Sequence, residues 1–385
     1  MPLVPMKPIL DAAQRLNYAQ GAFNVNTVAQ ARAIIEVHQM FRSPAIIQGA
    51  DLANAFMGGR GDFMNGTVED KRRGAKRIAE AVYALASDVD IPVTLHLDHG
   101  KDFDSVVAAI DGGYTSVMID GSALPYAENV ALTRRVVEYA HPRGVTVEGE
   151  LGVLAGMEDH VSAIASTYTS PAQACDFVQQ TGVDALAISY GTQHGVVKGD
   201  NVKLRKEIAI ATAETLRFAQ LDTPLVSHGS STVPQYIVAR INELGGALKN
   251  AHGIPIAELT AAIPCGIRKI NVDTDIRLAI TRNFREYFTR YPAKQSSPSI
   301  GPVWELLRDN PDKFDPRVYL PPVMDQMIIM NNITEADVAE LDALVAAGVK
   351  EVVGTLIVQF GSFGHAGDVT LATLDQMAQF YRGQA

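Results

Sequence analysis

The amino-acid sequence predicts an α/β fold in which eight parallel strands close into a (β/α)8 TIM barrel, and three observations support this prediction. Short apolar or β-branched runs of strand length recur along the chain. Longer segments with helical periodicity separate most of these runs, and eight alternations of strand and helix suit a closed parallel sheet. Polar residues follow seven of the eight runs, at the strand ends where barrel enzymes place their active sites. A doubly wound open sheet is the alternative.

The chain order of the predicted elements follows from these runs. The predicted strands are Gly21–Val25, Ala45–Gly49, Pro92–Leu97, Thr115–Ile119, Val145–Glu150, Val183–Ser189, Pro224–His228 and Ile267–Val272. The predicted helices between them are Val28–Met40, Asp70–Ala86, Phe103–Gly112, Asn129–His141, Ser170–Thr181, Leu204–Gln220 and Pro234–Leu244. Asn26-Thr27 is a capping pair before the first helix, Gly112-Gly113 ends the third, and Ser170-Pro171 begins the fifth.

The chain is predicted to form one domain over residues 1–385. The barrel takes about residues 1–290, and about 291–385 form a C-terminal helical extension packed on it, after a Pro/Ser-rich break at Tyr291–Pro302. Helical stretches are expected at Val323–Met330 and Glu335–Ala347 in this extension. The segment Ala50–Thr67 is expected to be a glycine-rich loop after the second strand.

Composition excludes several function classes. The formal net charge of −10 argues against a nucleic-acid partner, although local cations and helix N-termini can still bind a phosphorylated substrate. The N-terminal residues lack the pattern of a signal peptide, and no apolar run is long enough to span a membrane. The two cysteines, Cys175 and Cys265, lie far apart in apolar helical surroundings, which favours buried thiols in a reducing compartment. A cytoplasmic, soluble protein without a membrane partner is therefore predicted.

The stretch Val93–Gly100 is an apolar strand that ends in two histidines and a carboxylate. Alternate residues of a strand share a face, so His96 and Asp98 should point one way and His99 the other, until the chain turns at Gly100. One imidazole could then ligate a metal while the neighbouring carboxylate handles a proton. We expect His96 to pack behind the site.

Three of the nine histidines, His99, His194 and His228, follow different predicted strands and should converge at one barrel mouth. Three neutral imidazoles with an open position are typical of a catalytic zinc site. The carboxylates of Asp120 and Glu150 could orient these ligands or act as alternative ligands. A single histidine at a strand end is more often a hydrogen-bonded structural residue, but three at equivalent ends favour the metal site.

Two further clusters suggest a phosphate site and a mobile flap. Gly229, Ser230 and Ser231 follow the seventh strand, the usual phosphate position of a barrel, and Lys198 could add a positive charge. Taken alone, such a loop is most often only a turn. The glycine-rich stretch Leu151–His160 carries Glu158, either as a base on a flap or as a solvated loop charge.

Four motifs along the predicted strands and their ends, taken together, are typical of one known family. They are Gly21-Ala22-Phe23-Asn24, His96-Leu97-Asp98-His99-Gly100, Val147-Glu148-Gly149-Glu150-Leu151-Gly152 and Asn271-Val272-Asp273-Thr274-Asp275. Together they resemble the class II, zinc-dependent fructose-bisphosphate aldolases. The first two motifs are highly specific, and Asp315–Leu320 in the extension also resembles the family, so the similarity covers nearly the whole chain. The resemblance implies a barrel enzyme that uses Zn²⁺ and often a monovalent cation, K⁺ or Na⁺.

The resemblance also implies roles for single residues. It makes His99, His194 and His228 the zinc ligands, with Glu150 and Asp120 near the metal. Asp98 becomes the acid/base on the C4 hydroxyl of the substrate, and Glu158 the flap carboxylate that exchanges the proton at the enolising carbon. The implied substrate-binding residues are Asn24, Gly195, Lys198, Gly229, Ser231, Asn271 and Asp273. Arg317 corresponds to an arginine that reaches the second phosphate in the neighbouring subunit of family dimers, so a homodimer or homotetramer is expected.

The implied reaction is reversible aldol cleavage of fructose 1,6-bisphosphate to dihydroxyacetone phosphate and glyceraldehyde 3-phosphate. One departure from the family concerns the distal phosphate, because Gln48-Gly49-Ala50-Asp51 stands where the family commonly has a serine, sometimes followed by an arginine. An Asp51 that faces the substrate would repel a distal phosphate and bind hydroxyl groups instead, with Arg60 as a substitute contact. Tagatose bisphosphate, or a ketose 1-phosphate with a modified distal end, is therefore an alternative substrate.

Two other function classes are compatible with parts of this pattern. The same three histidines could serve a zinc hydrolase that uses an activated water. A non-catalytic binding barrel is less favoured, because the residues expected to transfer protons are present.

Overall fold

A computed structural model of the chain describes residues 3–158, 161–163, 166–198, 202–329 and 331–384. Within these residues, eight parallel strands form a closed barrel. In chain order the strands are β1 Gln20–Asn24, β2 Ala45–Ala50, β3 Val93–Gly100, β4 Ser116–Ile119, β5 Thr146–Leu151, β6 Gly156–Glu158, β7 Val161–Ala163, β8 Ala185–Ile188, β9 Leu225–Ser227 and β10 Ile267–Val272. Strands β6 and β7 form a separate antiparallel hairpin, and the other eight form the barrel.

Each barrel strand pairs in parallel with the next barrel strand in the sequence, and β10 closes the ring on β1. The predicted TIM barrel is thus confirmed, and the open doubly wound sheet is wrong. Each of the eight predicted strands overlaps one observed barrel strand. Parallel strands all begin at one end of a barrel and finish at the other, so the polar residues that follow them are brought to one rim.

Helices surround the barrel and continue into the C-terminal extension. They are α1 Met6–Leu16, α2 Val28–Phe41, α3 Asp51–Met57, α4 Val68–Ser87, α5 Phe103–Gly112, α6 Tyr126–Ala140, α7 Pro171–Thr181, α8 Lys206–Phe218, α9 Gln235–Glu243, α10 Ile256–Ala262, α11 Thr274–Arg290, α12 Gly301–Asp309, α13 Pro316–Tyr319, α14 Ala336–Phe360 and α15 Leu374–Gln384. The predicted cap of α2 is confirmed, because the Thr27 side chain accepts a hydrogen bond from the Gln30 N–H. Pro171 opens α7 as predicted, but Ser170 makes no side-chain cap bond.

Two apolar clusters form the core, one outside the strands and one inside the barrel. The outer cluster joins the outward side chains of the strands to the surrounding helices. The inner cluster joins small strand residues such as Ala22, Ala185 and Val226 to Met6 and Ile9 of α1. Helix α1, which was not predicted from the sequence, therefore closes the N-terminal end of the barrel.

The segment predicted as the loop Ala50–Thr67 is mostly helical at its start. Helix α3 occupies Asp51–Met57 and a short 3-10 turn occupies Phe63–Asn65. A Cβ atom added at Gly74 would lie 1.8 Å from the Asn54 carbonyl oxygen, so this glycine lets α4 approach α3 closely. The expectation of a loop is therefore wrong for Asp51–Met57, whose buried side chains form a helix that packs on α4.

The extension packs against the barrel helices. Helix α14 runs from Ala336 to Phe360, thirteen residues beyond the end predicted for it, and it packs on α2 and α11. Val353 and Phe360 of α14 belong to the same outer apolar cluster as the strands. The stretch predicted to be helical at Val323–Met330 is helical but not α-helical: a 3-10 helix spans Pro321–Val323 and a π-helix spans Asp325–Ile329, and Met330 lies outside the described residues.

Among the helices of the described residues, none combines the length and apolar character that crossing a bilayer requires. This finding agrees with the absence of a long apolar run in the sequence.

Burial of His38 makes the stability of the fold depend on pH. The imidazole packs against Phe23, and burial lowers its pKa to about 4, although its hydrogen bond to the Ile34 carbonyl opposes this shift. The unfolded chain therefore takes up this proton first as the pH falls below about 6.5, and stability is lost there. We expect His38→Leu to reduce the stability difference between pH 7.5 and pH 5 by about 2 kcal/mol in urea unfolding.

Met40→Leu, on the exposed end of the same helix, serves as the control and should keep the pH dependence of the parent chain. An unchanged pH dependence in the His38 variant would contradict this assignment.

Candidate active site

The end of strand β3 carries the two central residues, Asp98 and His99. In a regular strand the two side chains would point to opposite faces. The pairing of β3 with β4 shifts its register between Leu97 and Gly100, and His99 has a φ of 46°. This left-handed conformation is uncommon for a residue with a side chain, and it turns the His99 imidazole toward the barrel mouth.

The three predicted histidines meet at this mouth. The ring centroid of His99 lies 5.1 Å from that of His194 and 4.5 Å from that of His228. His194 belongs to the segment after β8, and His228 directly follows β9. All three side chains are buried. The predicted convergence of these residues is therefore present in the structure.

Hydrogen bonds determine which imidazole nitrogens remain available. His99 Nδ1 lies 3.0 Å from Asp120 Oδ2, and His228 Nε2 lies 2.7 Å from Glu148 Oε1. A carboxylate accepts, so both of these nitrogens carry the hydrogen. The other two nitrogens, His99 Nε2 and His228 Nδ1, are 3.0 Å apart and direct lone pairs at each other. Two facing lone pairs repel unless a proton or a metal ion lies between them, so this donor set fits a bound metal.

The carboxylates around His99 also favour a cation. The side chains form two groups of potential metal ligands, namely Asp98 with His99 and His228, and His99 with Asp120 and Glu150. Burial and the nearby Asp120 raise the pKa of Glu150 well above its usual range. Burial opposes a charge on His99, but Asp98 and Asp120 outweigh it and raise the pKa of this histidine. The local electrostatic field therefore stabilises positive charge where the imidazoles meet.

A buried ion pair below the histidines holds His228 in place. Lys269 Nζ lies 2.9 Å from Glu148 Oε2, and the other carboxylate oxygen accepts from His228. Burial raises the pKa of Glu148, but Lys269 and His228 outweigh it and keep the carboxyl ionised. His96 packs against the same carboxylate at 3.6 Å, and its Nδ1 contacts Ser116, as expected for a residue behind the site.

Neither Lys269 nor Glu148 was predicted as a site residue. Polar residues in the middle of strands β10 and β5, where apolar ones are expected, were the available signal.

Amide side chains orient the Asp98 carboxylate. Asn24 Nδ2 donates to Oδ2 at 2.8 Å, and Asn271 Nδ2 donates to Oδ1 at 3.0 Å. Gln48 in turn donates to Asn24 Oδ1 at 2.8 Å, which fixes the direction of that amide. Asn271 Nδ2 also lies 3.0 Å from His228 Nδ1, so the carboxylate and the histidines form one connected network. Gln48 was not predicted as a site residue.

A cavity beside these histidines gathers seven predicted substrate-binding residues. Its lining comprises Asn24, Asp98, Gly195, Lys198, His228, Gly229, Ser230, Ser231, Asn271, Asp273 and Thr274. Lys198 Nζ donates to the Gly229 carbonyl at 2.6 Å, and the backbone N–H of Thr274 donates to Ser231 Oγ at 3.1 Å. Gly229 has a φ of 60°, and an added Cβ would lie 2.5 Å from the Gln193 carbonyl, so only glycine allows this close turn. An ammonium group and backbone donors together suit an anion.

The hairpin of β6 and β7 rises beside His194, whose N–H donates to the Ala155 carbonyl at 2.8 Å. Glu158 ends β6, but its side chain lies outside the described part of the chain. Its predicted role on a flap stays a prediction.

Asp51 does not line the cavity. Its carboxylate is buried and forms an ion pair with Lys71 of α4. Lys71 also donates to Ser105 at 3.3 Å. The negative charge of Asp51 is therefore balanced within the fold, and the expected repulsion of a distal phosphate does not follow from it.

Arg317 also lies outside this cavity and is buried in the extension. It binds Asp315, with 2.8 Å between Nη2 and Oδ2, and its guanidinium lies 4.4 Å from the ring centroid of Phe63. Arg60, the other cation considered for the distal end, is exposed and donates to the Asp62 carbonyl. Contact of Arg317 with a second subunit stays a prediction.

We expect Glu148→Gln to weaken metal binding about 10- to 100-fold, because the amide no longer fixes the tautomer of His228. Titration with Co²⁺, followed by its absorbance, measures this affinity. Asp342→Asn removes another buried carboxylate, which pairs with Arg32 far from the site, and should leave the affinity unchanged. An unaltered affinity in folded Glu148→Gln contradicts the role given to Glu148. If that variant does not fold, Glu148→Gln with Lys269→Met removes the unpaired buried charge and permits the same measurement.

Comparisons with known proteins agree with this geometry. Residues 4–336 match the family model described as fructose-bisphosphate aldolase class-II. A fructose-bisphosphate aldolase of Giardia intestinalis is 36% identical over 390 residues, covering 99% of this chain and 100% of the relative. A fructose-bisphosphate aldolase of Treponema pallidum is 41% identical over 337 residues, covering 84% of this chain and 92% of the relative.

Solved structures support the same fold. The crystal structure of the YdjI aldolase from Escherichia coli K12 superposes with a TM-score of 0.64 at 25% identity, covering 94% of this chain and 99% of that one. A fructose-bisphosphate aldolase from Campylobacter jejuni has a TM-score of 0.65 at 21% identity, covering 94% and 96% of the two chains, and so shows the fold alone. The family match, the curated relatives and the grouped histidines together establish that this chain belongs to the class II fructose-bisphosphate aldolase family, whose members are metal-dependent lyases.

Proposed function

We propose that this chain catalyses the reversible, zinc-dependent aldol cleavage of fructose 1,6-bisphosphate to dihydroxyacetone phosphate and glyceraldehyde 3-phosphate. One observation carries the proposal: the histidine cluster and the oriented Asp98 carboxylate adjoin a cavity with cationic and backbone donors. The names of the relatives, which are fructose-bisphosphate aldolases, support the choice of substrate.

The zinc ligands in this proposal are His99, His194 and His228, with Asp120 and Glu150 close to the metal. The facing nitrogens of His99 and His228, 3.0 Å apart, support this assignment. Zinc bound there would act as a Lewis acid that polarises the ketone of the substrate and stabilises negative charge developed during cleavage. A monovalent cation, K⁺ or Na⁺, is proposed as an additional cofactor on the phosphate side.

Asp98 is the proposed base for the C4 hydroxyl. Cleavage of the C3–C4 bond requires loss of that proton, and the leaving half departs as an aldehyde. The amides of Asn24 and Asn271 hold both carboxylate oxygens in fixed directions, which reduces the reorganisation needed for proton transfer. Glu158 is proposed to return a proton to C3 of the remaining half, which yields dihydroxyacetone phosphate.

The 1-phosphate is proposed to bind in the cavity beside Lys198. The Lys198 ammonium supplies charge, and Ser231 with the backbone of Gly195, Gly229 and Asp273 supplies short-range contacts. This arrangement requires a phosphorylated ketose, whichever aldehyde is released.

The distal half of the substrate is less constrained. Ala50 pairs with Asp98 in the register of β2 and β3, so a methyl group stands where family members commonly carry a hydroxyl. This observation favours a second candidate substrate, namely tagatose bisphosphate or a ketose 1-phosphate with a modified distal end. Arg317 is proposed to reach the distal phosphate of a neighbouring subunit in a homodimer or homotetramer. The free thiols of Cys175 and Cys265 support a cytoplasmic location.

Chelation and a substrate panel test the proposal. We expect dialysis against a chelator to abolish cleavage of fructose 1,6-bisphosphate and added Zn²⁺ to restore it. Coupled assay of dihydroxyacetone phosphate should give higher kcat/KM for fructose 1,6-bisphosphate than for tagatose 1,6-bisphosphate or fructose 1-phosphate. Equal or faster cleavage without a distal phosphate would overturn the bisphosphate assignment. Release of inorganic phosphate without dihydroxyacetone phosphate would indicate a hydrolase, and full activity after chelation would exclude zinc.

Asp98→Asn tests the proposed base. The amide keeps the shape of the carboxylate but cannot accept the proton, so kcat should fall about 10²- to 10⁴-fold while bound zinc is retained. Asp104→Asn, an exposed position on the helix that follows β3, should behave like the parent enzyme. A kcat within threefold of the parent, at full zinc content, would rule out this role for Asp98.

A further inference from the structure

We propose that a cavity beside α1, at the end of the barrel opposite the histidines, binds a small monocarboxylate with an apolar body, and that Arg268 supplies the positive charge for it. The cavity has a volume of about 440 Å³ and lies between α1, α8 and the first residues of β9 and β10. This volume suits a small organic ligand. The proposal does not rest on the function proposed above, because the lining residues of this cavity are not those of the candidate active site.

An irregularity in β10 gives Arg268 its unusual position. Leu225 and Val226 are adjacent on β9, but they pair with Ile267 and Lys269 on β10, so Arg268 is an extra residue in the strand. Ile267 belongs to the outer apolar cluster, whereas Lys269 forms its ion pair inside the barrel. A bulge of this kind redirects a side chain. Arg268 thereby leaves the regular alternation of the strand, and it lines the cavity.

The positive charge of Arg268 has no counterion in the described part of the chain. The residue is only 8% exposed. Its Nη1 donates to the carbonyls of Ile263 and Ile267 at 2.6 and 3.0 Å, and its Nη2 donates to Asn17 Oδ1 at 3.0 Å, so all three acceptors are neutral. The Nε–H has no acceptor among the described residues. A buried charge is normally paired, because leaving it without a partner is costly.

The nearest ionisable group does not balance this charge. Burial lowers the pKa of Arg268, and the group that opposes this shift is the Cys265 thiol. That thiol donates to the Ala261 carbonyl at 3.2 Å, and burial raises its pKa, so it is neutral at pH 7. An anion bound in the cavity therefore provides the negative charge that the fold itself does not place beside Arg268.

The other charges of the cavity wall favour an anion with a single charge. Glu214 pairs with Arg217, and Asp222 accepts a hydrogen bond from Gln14. A dianion, such as a phosphate monoester, meets both of these carboxylates but only one unpaired cation, so it is disfavoured. A monocarboxylate balances Arg268 alone. An apolar body on the ligand suits the remaining wall, which includes Ile210, Leu216, Leu221 and Pro264.

Calorimetry with hexanoate on the zinc-loaded full chain tests the proposal. We expect hexanoate to bind with a Kd of about 1 mM, and hexanamide, which has the same body without the charge, to bind about tenfold more weakly or worse. Arg268→Met removes the cation and keeps an aliphatic stem, so it should weaken hexanoate binding about 10- to 100-fold. Arg217→Gln is the matched control, because this cation of the same cavity is already paired, and it should change the affinity by less than about threefold.

Dihydroxyacetone phosphate at saturation should not displace hexanoate. Displacement would place the probe at the proposed zinc site and overturn the proposal, as would equal affinities in the parent and in Arg268→Met, or no binding of hexanoate up to about 10 mM. If Arg268→Met does not fold, Ala213→Phe fills the cavity from a half-buried position on α8, and an unchanged affinity in that variant overturns the proposal. Failure of dihydroxyacetone phosphate to bind counts against the proposed function instead, and the Arg268 and Ala213 variants then decide the proposal made here.

Discussion

Closure of the parallel barrel is the constraint on which the rest of this molecule depends. Eight strands that run in one direction must all end at the same rim, so residues distant in sequence become neighbours there. Asn24, Asp98 and Asn271 come from the ends of β1, β3 and β10, and they meet through direct hydrogen bonds. Helix α1 fills the opposite end with apolar side chains, which leaves the polar rim as the only end of the barrel that the described residues leave open to a substrate.

The interior below the rim carries charges that a protein core normally excludes. Burying an ion costs several kcal/mol, and this cost is tolerated only where the partner is close and well oriented. Lys269, Glu148 and His228 meet these conditions at 2.9 and 2.7 Å. The same contacts fix the tautomer of His228, so the ion pair that completes the core also orients a proposed metal ligand. The packing of the barrel interior and the chemistry proposed at its rim therefore depend on the same hydrogen bonds.

The extension contributes to the site indirectly. Its long helix α14 continues the outer apolar core, whereas Asp315 reaches back to Arg277 beside the cavity. A segment that a minimal barrel does not need is thereby coupled to the geometry of the proposed phosphate site.

Much of the fold and of the candidate site could be predicted from sequence, because both depend on patterns local in the chain. Strand length, helical period and polar strand ends indicated the barrel, and they placed His99, His194 and His228 at equivalent ends. Residues whose partners lie far away in the chain were missed, such as Lys269 and Gln48, and so were the helices α1 and α3, whose apolar faces pack on distant elements.

The sequence by itself determined the architecture and the kinds of reactive group at its rim, since periodicity and residue type are properties of short segments. Only the tertiary structure decided where each side chain is directed. It paired Asp51 with Lys71 instead of a substrate, turned His99 inward through a left-handed residue, and drew Asp273 off its helix end onto Arg277. These outcomes depend on partners that folding brings close, and the electrostatic balance among such partners has no signature in any one stretch of chain.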